Sequence, residues 1–234
     1  MQTAPTINKK KGLLDCFSCR TREMMMAMRG PLQLTVALIK PDVTRVPHIL
    51  QGIRNRIIQE EFLVVRHKEI RLRKQETENF YAEHREKFFY NRLVTFMASG
   101  PTQALILAHE NAIQRWRLLM GPTKVYKTKY EAPDTIRGMY GLTDTRNSTH
   151  GSATSRDPEC FPSFFAGQQL KTFAPPVTRL QTPGVPRHAE ETAAKEMKFF
   201  FPEFSKEEWY EDEEAQFRKG QIQLDEVSFI HKLL

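Results

Sequence analysis

The sequence has few cysteines and no long apolar segment. Three cysteines in 234 residues are too few and too scattered for a disulfide framework, which favours a reducing compartment. Cys16 and Cys19 form a CxxC pair, but zinc needs two further ligands and the chain has no second pair, so we interpret both as ordinary thiols. No apolar run approaches the roughly 20 residues of a membrane span, and we expect a soluble protein.

Several nucleotide-binding signatures are also missing. The chain has no G-x-x-x-x-G-K-[ST] loop, no G-x-G-x-x-G after a predicted strand and no catalytic-loop aspartate motif of protein kinases. It has no repeat of fixed period either. These absences exclude a P-loop site, a Rossmann-type dinucleotide site and a protein-kinase fold. A site that handles phosphate must therefore be built from other groups.

Acidic residues are fewer than basic ones. The chain carries 35 Lys and Arg against 28 Asp and Glu, with a formal net charge of +7 and a pI of about 9.3. This charge suits nucleotides, nucleic acid or an anionic membrane as partner, and also suits a protein of the mitochondrial matrix. With 40% hydrophobic residues, the chain can bury one good core and at most a second small one.

Residues 1–30 form a basic leader with weak amphipathic character. Its basic residues are Lys9, Lys10, Lys11, Arg20, Arg22 and Arg29, and its acidic residues are Asp15 and Glu23. A basic, acid-poor leader is typical of an organelle transit peptide, and a disordered basic tail is the alternative.

From residue 32 onward, apolar residues recur with the periods of strands and helices. Residues 32–42 predict a buried strand that ends in a loop, and apolar residues between Ile49 and Phe62 recur at helical spacing. Further along, 62–72 alternate as a strand, 74–99 predict one or two helices, 100–110 a third strand and 111–120 another helix. This order predicts helices on one face of a mixed sheet, an α+β sandwich.

The remaining segments lack such periods. Residues 121–141 are polar and cationic, and we interpret them as a long functional loop without a regular element. Residues 154–190 are rich in proline, and we interpret them as an irregular insertion. The insertion divides the domain into a first part, 31–153, and a second part, 191–212. Residues 213–234 follow as an acidic, solvated tail.

The stretch TRNSTHGS, residues 145–152, places a histidine among small polar residues. An uncharged imidazole nitrogen can attack phosphorus, and the resulting N–P bond is labile enough to pass the group onward. The predicted order of elements brings phosphate-compatible side chains from separate segments to one rim of the sheet: Lys40, Arg117, Thr123, Arg137 and Asn147. His150 is therefore a candidate nucleophile in phosphoryl transfer.

Five segments in order along the chain carry a family resemblance. ALIKPD, ASGP, WRLLMGPT, APDTIRG and TRNSTHGS resemble the signature segments of nucleoside diphosphate kinases, and EKFFYNRLVTFMASGP with GLTDTRNSTHGS is most similar to group II of that family. The resemblance covers about 32–152 and resumes over about 191–210. An ordered set of five segments is far more specific than a lone N-x-x-H-G.

The resemblance implies a ferredoxin-like sandwich that moves a γ-phosphoryl group from a nucleoside triphosphate to a nucleoside diphosphate by a ping-pong route. It implies His150 as the phosphorylated nucleophile, with Tyr81 beside the imidazole and Phe89 stacked on the base. It implies phosphate and sugar contacts from Lys40, Arg117, Thr123, Arg137 and Asn147. It also implies Mg²⁺ bound through the phosphates, with few direct protein ligands, and ATP, GTP, CTP, UTP and their deoxy forms as substrates. Stacking without edge contacts predicts a broad range of bases.

The chain departs from the family pattern in three places. Ala153 replaces the acidic residue of G-S-D-S, and the cationic loop that builds the family's hexamer contacts is longer than in group I. The insertion separates His150 from Glu196, which resembles the glutamate that orients the imidazole ring. Looping out about 35 residues costs only about 1 to 3 kcal/mol, so the fold can accommodate it. If Glu196 cannot reach the ring, transfer is slowed.

Three functions are therefore weighed. The first is a nucleoside diphosphate kinase, as a homo-oligomer or with a mitochondrial protein partner. The second is a catalytically weak family member that binds nucleotide and acts through a protein partner. The third is an RNA-binding module, which the missing aromatic strand motif K/R-G-F/Y-G/A-F-V-x-F/Y makes a poor fit. The leader and the group II resemblance together predict the mitochondrial matrix, with the cytosol as the alternative.

Overall fold

A computed structural model describes residues 30–152 and 187–234 of the chain. Four sequence predictions fall on positions outside these ranges: the transit-like leader, the two CxxC thiols, Ala153 and most of the Pro-rich insertion. The last four residues assigned to the insertion, 187–190, belong to a helix that begins at Arg187.

The described residues form six strands and ten helices. The strands are β1 (Gln33–Ile39), β2 (Leu63–Ile70), β3 (Thr102–His109), β4 (Thr149–Gly151), β5 (Ile222–Asp225) and β6 (Ile230–Leu233). The helices are α1 (Pro41–Thr44), α2 (Pro47–Gln59), α3 (Lys74–Phe80), α4 (Tyr90–Met97), α5 (Ala112–Met120), α6 (Val125–Glu131), α7 (Ile136–Tyr140), α8 (Arg187–Phe200), α9 (Lys206–Glu208) and α10 (Glu214–Arg218). A 3₁₀ turn, Ala82–His84, joins α3 to α4, and a π-helical turn, Trp209–Glu213, joins α9 to α10.

The main sheet has the strand order β2-β3-β1-β4, and every neighbouring pair is antiparallel. The predicted α+β sandwich is confirmed, but the prediction of a mixed sheet is wrong. The helical connection from β1 to β2 passes over β3, and the connection from β3 to β4 passes over β1. β1 and β2 are therefore parallel to each other, as are β3 and β4, and the strand between each of these pairs is antiparallel to both. This is the ferredoxin-like arrangement.

Helices cover both faces of the sheet, whereas the sequence reading placed them on one. Val36 and Leu38 of β1 belong to one apolar cluster, which includes Met197 and Phe200 of α8. The alternating residues Ala37 and Ile39 belong to the opposite cluster, which includes apolar residues of α2 and α5. All eight residues of β3 are buried, so both of its faces need a covering layer. Helix α8 supplies the second layer.

The cationic stretch 121–141 contains two short helices, α6 and α7, where we predicted a loop without regular structure. Helix α6 buries Val125 and Thr128, and the Asp144 carboxylate accepts a hydrogen bond from the Val125 N–H at 3.0 Å. Helix α7 begins after Thr135, whose hydroxyl accepts from the Gly138 N–H at 3.2 Å. These helices are stabilised by tertiary contacts and caps. The pattern of apolar residues in so short a segment does not predict such helices.

The predicted tail, 213–234, is folded. It forms α10 and a hairpin of β5 and β6, and it buries Phe217, Ile222 and Phe229. The hairpin lies along β2, the edge strand of the main sheet, where the Val64 N–H donates to Nδ1 of His231 at 2.8 Å. The acidic residues before the hairpin suggested a solvated tail, but the apolar residues that follow them pack on the domain.

Acid should weaken this hairpin through His231. Burial lowers the pKa of His231 to about 4, against about 6.5 in an unfolded chain. The unfolded state therefore binds more protons between these values, so the stabilisation is complete above about pH 6.5 and is lost as the pH falls toward 4. We expect His231 to account for about 2 kcal/mol of lost unfolding free energy between pH 7.5 and pH 5.

Urea unfolding at the two pH values measures this loss. The variant His231→Asn keeps an acceptor near the Nδ1 position and cannot titrate, so its loss of unfolding free energy should be smaller by that amount. Equal pH dependence in the two proteins would contradict the assignment.

Within 30–152 and 187–234, no helix is long and apolar enough to cross a membrane.

Candidate active site

His150 lies in the middle of β4, the short strand at one edge of the main sheet. His150 pairs with Leu38 of β1, so the residues that follow β1 lie close to those that precede His150. Ser148, two residues before His150, has a positive φ of 68°, a conformation that is costly for a residue other than glycine. Its N–H donates to Asp42 at 3.0 Å and its carbonyl accepts from the Lys40 N–H at 2.9 Å. These two bonds hold the turn that presents the histidine.

Glu196 of α8 contacts the imidazole directly. Its Oε1 lies 2.9 Å from Nε2 of His150, and its Oε2 accepts a hydrogen bond from the Ser152 hydroxyl at 2.6 Å. Both carboxylate oxygens are therefore engaged, and Glu196 is only 8% exposed. A carboxylate on Nε2 favours the tautomer that carries its proton there, which leaves Nδ1 with a free lone pair.

Two aromatic rings enclose the imidazole. Phe80 lies 5.3 Å from it and Tyr81 lies 5.8 Å from it, both edge-on by ring centroids. Tyr81 is buried, and burial raises the pKa of its hydroxyl, so the group stays protonated. Among the described residues, this hydroxyl has no hydrogen-bond partner. His84 stacks on Tyr81 at 6.2 Å and lies 5.7 Å from Phe89, which in turn meets Phe88 edge-on at 5.5 Å.

Lys40 and Asn147 meet beside the histidine although 107 positions separate them in the chain. The Lys40 ammonium donates to Oδ1 of Asn147 at 2.6 Å, and the Asn147 amide donates to the Asp144 carbonyl at 3.0 Å. Burial, aided by the nearby charge of Arg137, lowers the pKa of Lys40 to about 7. A bound anion would raise this pKa again, because it favours the charged ammonium.

Arg137 of α7 is buried, and the groups that accept its hydrogen bonds are neutral. Its guanidinium donates to the carbonyls of Gly121 at 2.8 Å and Thr149 at 3.1 Å, and it reaches the Thr123 hydroxyl at 3.4 Å. Burial and the charge of Arg117 lower the pKa of Arg137 to about 10, so it remains a cation at neutral pH. Its buried Nε has no hydrogen-bond partner among the described residues.

The site therefore concentrates positive charge near His150. Lys40 and Arg137 are each less than 9% exposed, and burial disfavours the charged form of both, although the nearby Asp42 partly offsets this at Lys40. Within the described residues, Nε of Arg137 and the hydroxyl of Tyr81 are donors without a partner. An anion that entered the site would offset the burial of both cations.

Some of the predicted site residues contact one another directly, and others are connected only indirectly. Glu196 and Tyr81 contact His150, Lys40 contacts Asn147, and Arg137 contacts Thr123. Arg117 is close enough to affect the pKa of Arg137, and Phe89 is connected only through His84 and Tyr81. The insertion does not keep Glu196 away from the ring.

Sequence reasoning missed four residues of this site. Ser152 fixes Glu196, Asp42 holds the turn before His150, Phe80 packs on the ring, and the Trp116 indole donates to the His150 carbonyl. Ser152 and Asp42 stand inside the quoted signatures TRNSTHGS and ALIKPD, so their position was a usable signal. Trp116 likewise opens the quoted signature WRLLMGPT, but its hydrogen bond to the His150 carbonyl depends on how α5 packs against β4.

A family model described as nucleoside diphosphate kinase matches residues 33–169. The chain belongs to the nucleoside diphosphate kinase family. Proteins named nucleoside diphosphate kinase 6 are similar over most of its length. The protein from Xenopus tropicalis is 44% identical over 203 residues, covering 87% of this chain and 94% of the relative. The protein from Homo sapiens is 44% identical over 201 residues, covering 85% and 89%. The predicted resemblance is thus confirmed.

The fold is also similar to that of solved structures of this family. The crystal structure of the Aquifex aeolicus nucleoside diphosphate kinase superposes with a TM-score of 0.56 at 29% identity, covering 76% of this chain and 98% of that one. Family and fold together indicate an enzyme of the nucleotide kinase type.

Proposed function

We propose that this nucleoside diphosphate kinase family member transfers the γ-phosphoryl group of a nucleoside triphosphate to a nucleoside diphosphate, with His150 as the carrier. The observation that supports this most directly is the Glu196 carboxylate 2.9 Å from Nε2 of His150. This contact gives the two ring nitrogens different roles: Nε2 is hydrogen-bonded to Glu196, and Nδ1 is available as the nucleophile.

In the first half-reaction, the Nδ1 lone pair attacks the γ-phosphorus. The N–P bond forms as the bond from phosphorus to the β,γ-bridging oxygen breaks, and the nucleoside diphosphate leaves with that electron pair. In the second half-reaction, a terminal β-phosphate oxygen of another diphosphate attacks the same phosphorus and the N–P bond breaks. Glu196 stabilises the positive charge that the ring gains while it carries the phosphoryl group.

The buried cations bind and stabilise the phosphates. Arg137 and the nearby Arg117 would supply guanidinium groups to the transferring oxygens, and Thr123, in contact with Arg137, would add a hydroxyl donor. Lys40 and Asn147 already share a hydrogen bond and would hold the adjacent sugar and phosphate groups together. Positioning and charge neutralisation supply most of the catalysis in such transfers, with little acid-base work by the protein.

Magnesium enters this reaction as part of the substrate, bound to the nucleotide phosphates. The described residues contain no group of three His, Cys, Asp or Glu side chains placed to hold a metal ion. One oxygen of Asp42 accepts from the Ser148 N–H and one oxygen of Asp144 accepts from the Val125 N–H. The site residues therefore fit phosphate oxygens better than a metal ion, and when bound the ion would neutralise phosphate charge.

The base contacts are proposed to be non-specific. Phe89 is only partly buried, and its ring would stack on the base. Stacking accepts any base, because every base has a π face. We therefore expect similar transfer to purine and pyrimidine diphosphates.

The test is labelling of the full chain with γ-labelled ATP and Mg²⁺. We expect an acid-labile, base-stable label on the protein that is discharged by GDP or CDP, with formation of labelled GTP or CTP. Binding of nucleotide without any label would instead support the weak family member that works through a protein partner. The covered sheet faces argue against an RNA-recognition module, which uses an open face.

Loss of the Glu196 carboxylate should slow labelling without preventing nucleotide binding. We expect Glu196→Ala to lower the single-turnover rate about 100-fold, because the ring loses both its orientation and its tautomer preference. Glu196→Gln keeps an acceptor oxygen and should lose less. Glu191→Ala, on the same helix with a 63% exposed side chain, is the matched control. A rate for Glu196→Ala within threefold of this control would refute the proposed role.

We also propose a mitochondrial location, supported by the basic composition of residues 1–30. A reporter fused to residues 1–30 should enter mitochondria in cells. A reporter that stayed in the cytosol would remove this support.

A further inference from the structure

We infer that Trp116 is a positioning residue for the phosphoryl carrier: its indole fixes the backbone of His150 and thereby aims the imidazole. This inference rests on the proposed function, since it concerns the rate at which His150 accepts phosphate. Trp116 lies in α5 and has no exposed surface. Its Nε1 donates a hydrogen bond to the His150 carbonyl at 3.2 Å, across 34 positions of the chain.

The strand that carries His150 needs such support. β4 has only three residues and lies at the edge of the sheet, and β1 is its one strand neighbour within the part of the chain that the structure describes. A strand this short has few ladder hydrogen bonds, and an edge strand has none on its outer side. Contacts from helices must therefore supply part of the force that holds the histidine in place.

Trp116 also packs directly on the next residue. A Cβ atom at Gly151 would lie 2.4 Å from Cδ1 and 2.5 Å from Nε1 of Trp116, much closer than such atoms approach in proteins. The glycine is therefore needed so that the indole can lie against the backbone. The indole itself is held by Phe62, a fully buried ring that meets it edge-on at 6.1 Å.

Two successive carbonyls of β4 are held by side chains from different helices. Arg137 of α7 donates to the Thr149 carbonyl at 3.1 Å, and Trp116 of α5 donates to the His150 carbonyl at 3.2 Å. Together they fix the peptide planes on both sides of the His150 Cα atom. Rotation of either plane would move the imidazole relative to Glu196 and to the cations, and small displacements at a reacting centre reduce rates strongly.

The chain offers a matched control, because it has two tryptophans. Trp209 is 1% exposed, and its Nε1 has no hydrogen-bond partner among the described residues. Trp116→Phe and Trp209→Phe therefore both remove a buried indole, but only the first removes a hydrogen bond to the histidine backbone. Both variants are compared in single-turnover phosphorylation by γ-labelled ATP over a range of ATP concentrations.

We expect Trp116→Phe to lower the maximal phosphorylation rate about fivefold to tenfold relative to Trp209→Phe, which corresponds to the loss of one hydrogen bond. The ATP concentration for the half-maximal rate should stay within twofold, because no phosphate contact is lost. A purely structural defect would instead lower the amplitude of labelling, which counts competent molecules, and leave their rate unchanged.

A second variant covers the case in which Trp116→Phe does not fold. In the Trp209→Phe background, Trp116 is the only tryptophan and can be replaced during expression by β-(3-benzothienyl)alanine, which has sulfur in place of the indole N–H. The same fall in maximal rate is expected with this analogue. Unchanged rates in both substituted proteins, with normal labelling of the wild type, would overturn the role of Trp116. Absence of label on the wild type would overturn the proposed function instead.

Discussion

Phosphate exchange between nucleotides is expected to fall on the order of 10⁴-fold or more when His150 is replaced by Gln, because the imidazole that carries the phosphoryl group is lost. The carboxylates of Asp42 and Glu196, which lie near His150, already accept hydrogen bonds from the protein. The variant should lose the acid-labile label completely while it still binds nucleotide, since the cations that hold the phosphates remain.

A coupled-enzyme assay of triphosphate formation measures the loss of transfer, and equilibrium binding of ADP measures whether nucleotide binding is retained. His188→Gln serves as the control, because His188 lies on α8 with a 73% exposed side chain and pairs only with Glu191. Its exchange rate should equal that of the wild type. Exchange by His150→Gln above one hundredth of the wild-type rate would exclude His150 as the carrier.

Arg137 should give the second largest effect. We expect Arg137→Met to lower kcat/KM about 10²-fold to 10³-fold, because a preorganised cation facing the transferring oxygens is lost. Arg137→Lys should recover only part of this loss, since a lysine cannot donate to Gly121, Thr123 and Thr149 from one planar group. The measurement is steady-state exchange with saturating diphosphate and varied ATP.

Arg66→Met removes the same charge elsewhere and is the control. Arg66 lies on β2 and pairs with Glu213 at 2.8 Å, so its loss should change exchange less than twofold. Equal effects of Arg137→Met and Arg66→Met would indicate that total charge, and not the placement of Arg137, governs the reaction.

The sequence predicted the central fold because its main elements carry strong periodic patterns. β1, β2, β3, α2 and α5 were all anticipated, since each buries a regular face. β4, α6 and α7 were not, because elements of three to seven residues show no usable period and are held by distant groups such as Asp144. The hairpin was missed for a different reason: the acidic residues before it dominated the interpretation.

Family motifs named the candidate site residues, but the geometry of the site could not be predicted from them. The structure places most of these residues in contact with one another. Whether Glu196 could reach His150 across the insertion depended on where α8 packs, which no local pattern encodes. The same holds for Trp116, whose effect on His150 arises only because α5 lies against β4.

The C-terminal hairpin has a consequence for assembly. An edge strand normally offers its free backbone groups to a strand of another molecule. Here the chain's own last residues lie along β2 and bond to Val64 through His231, so a second copy could not extend the sheet there without first displacing them.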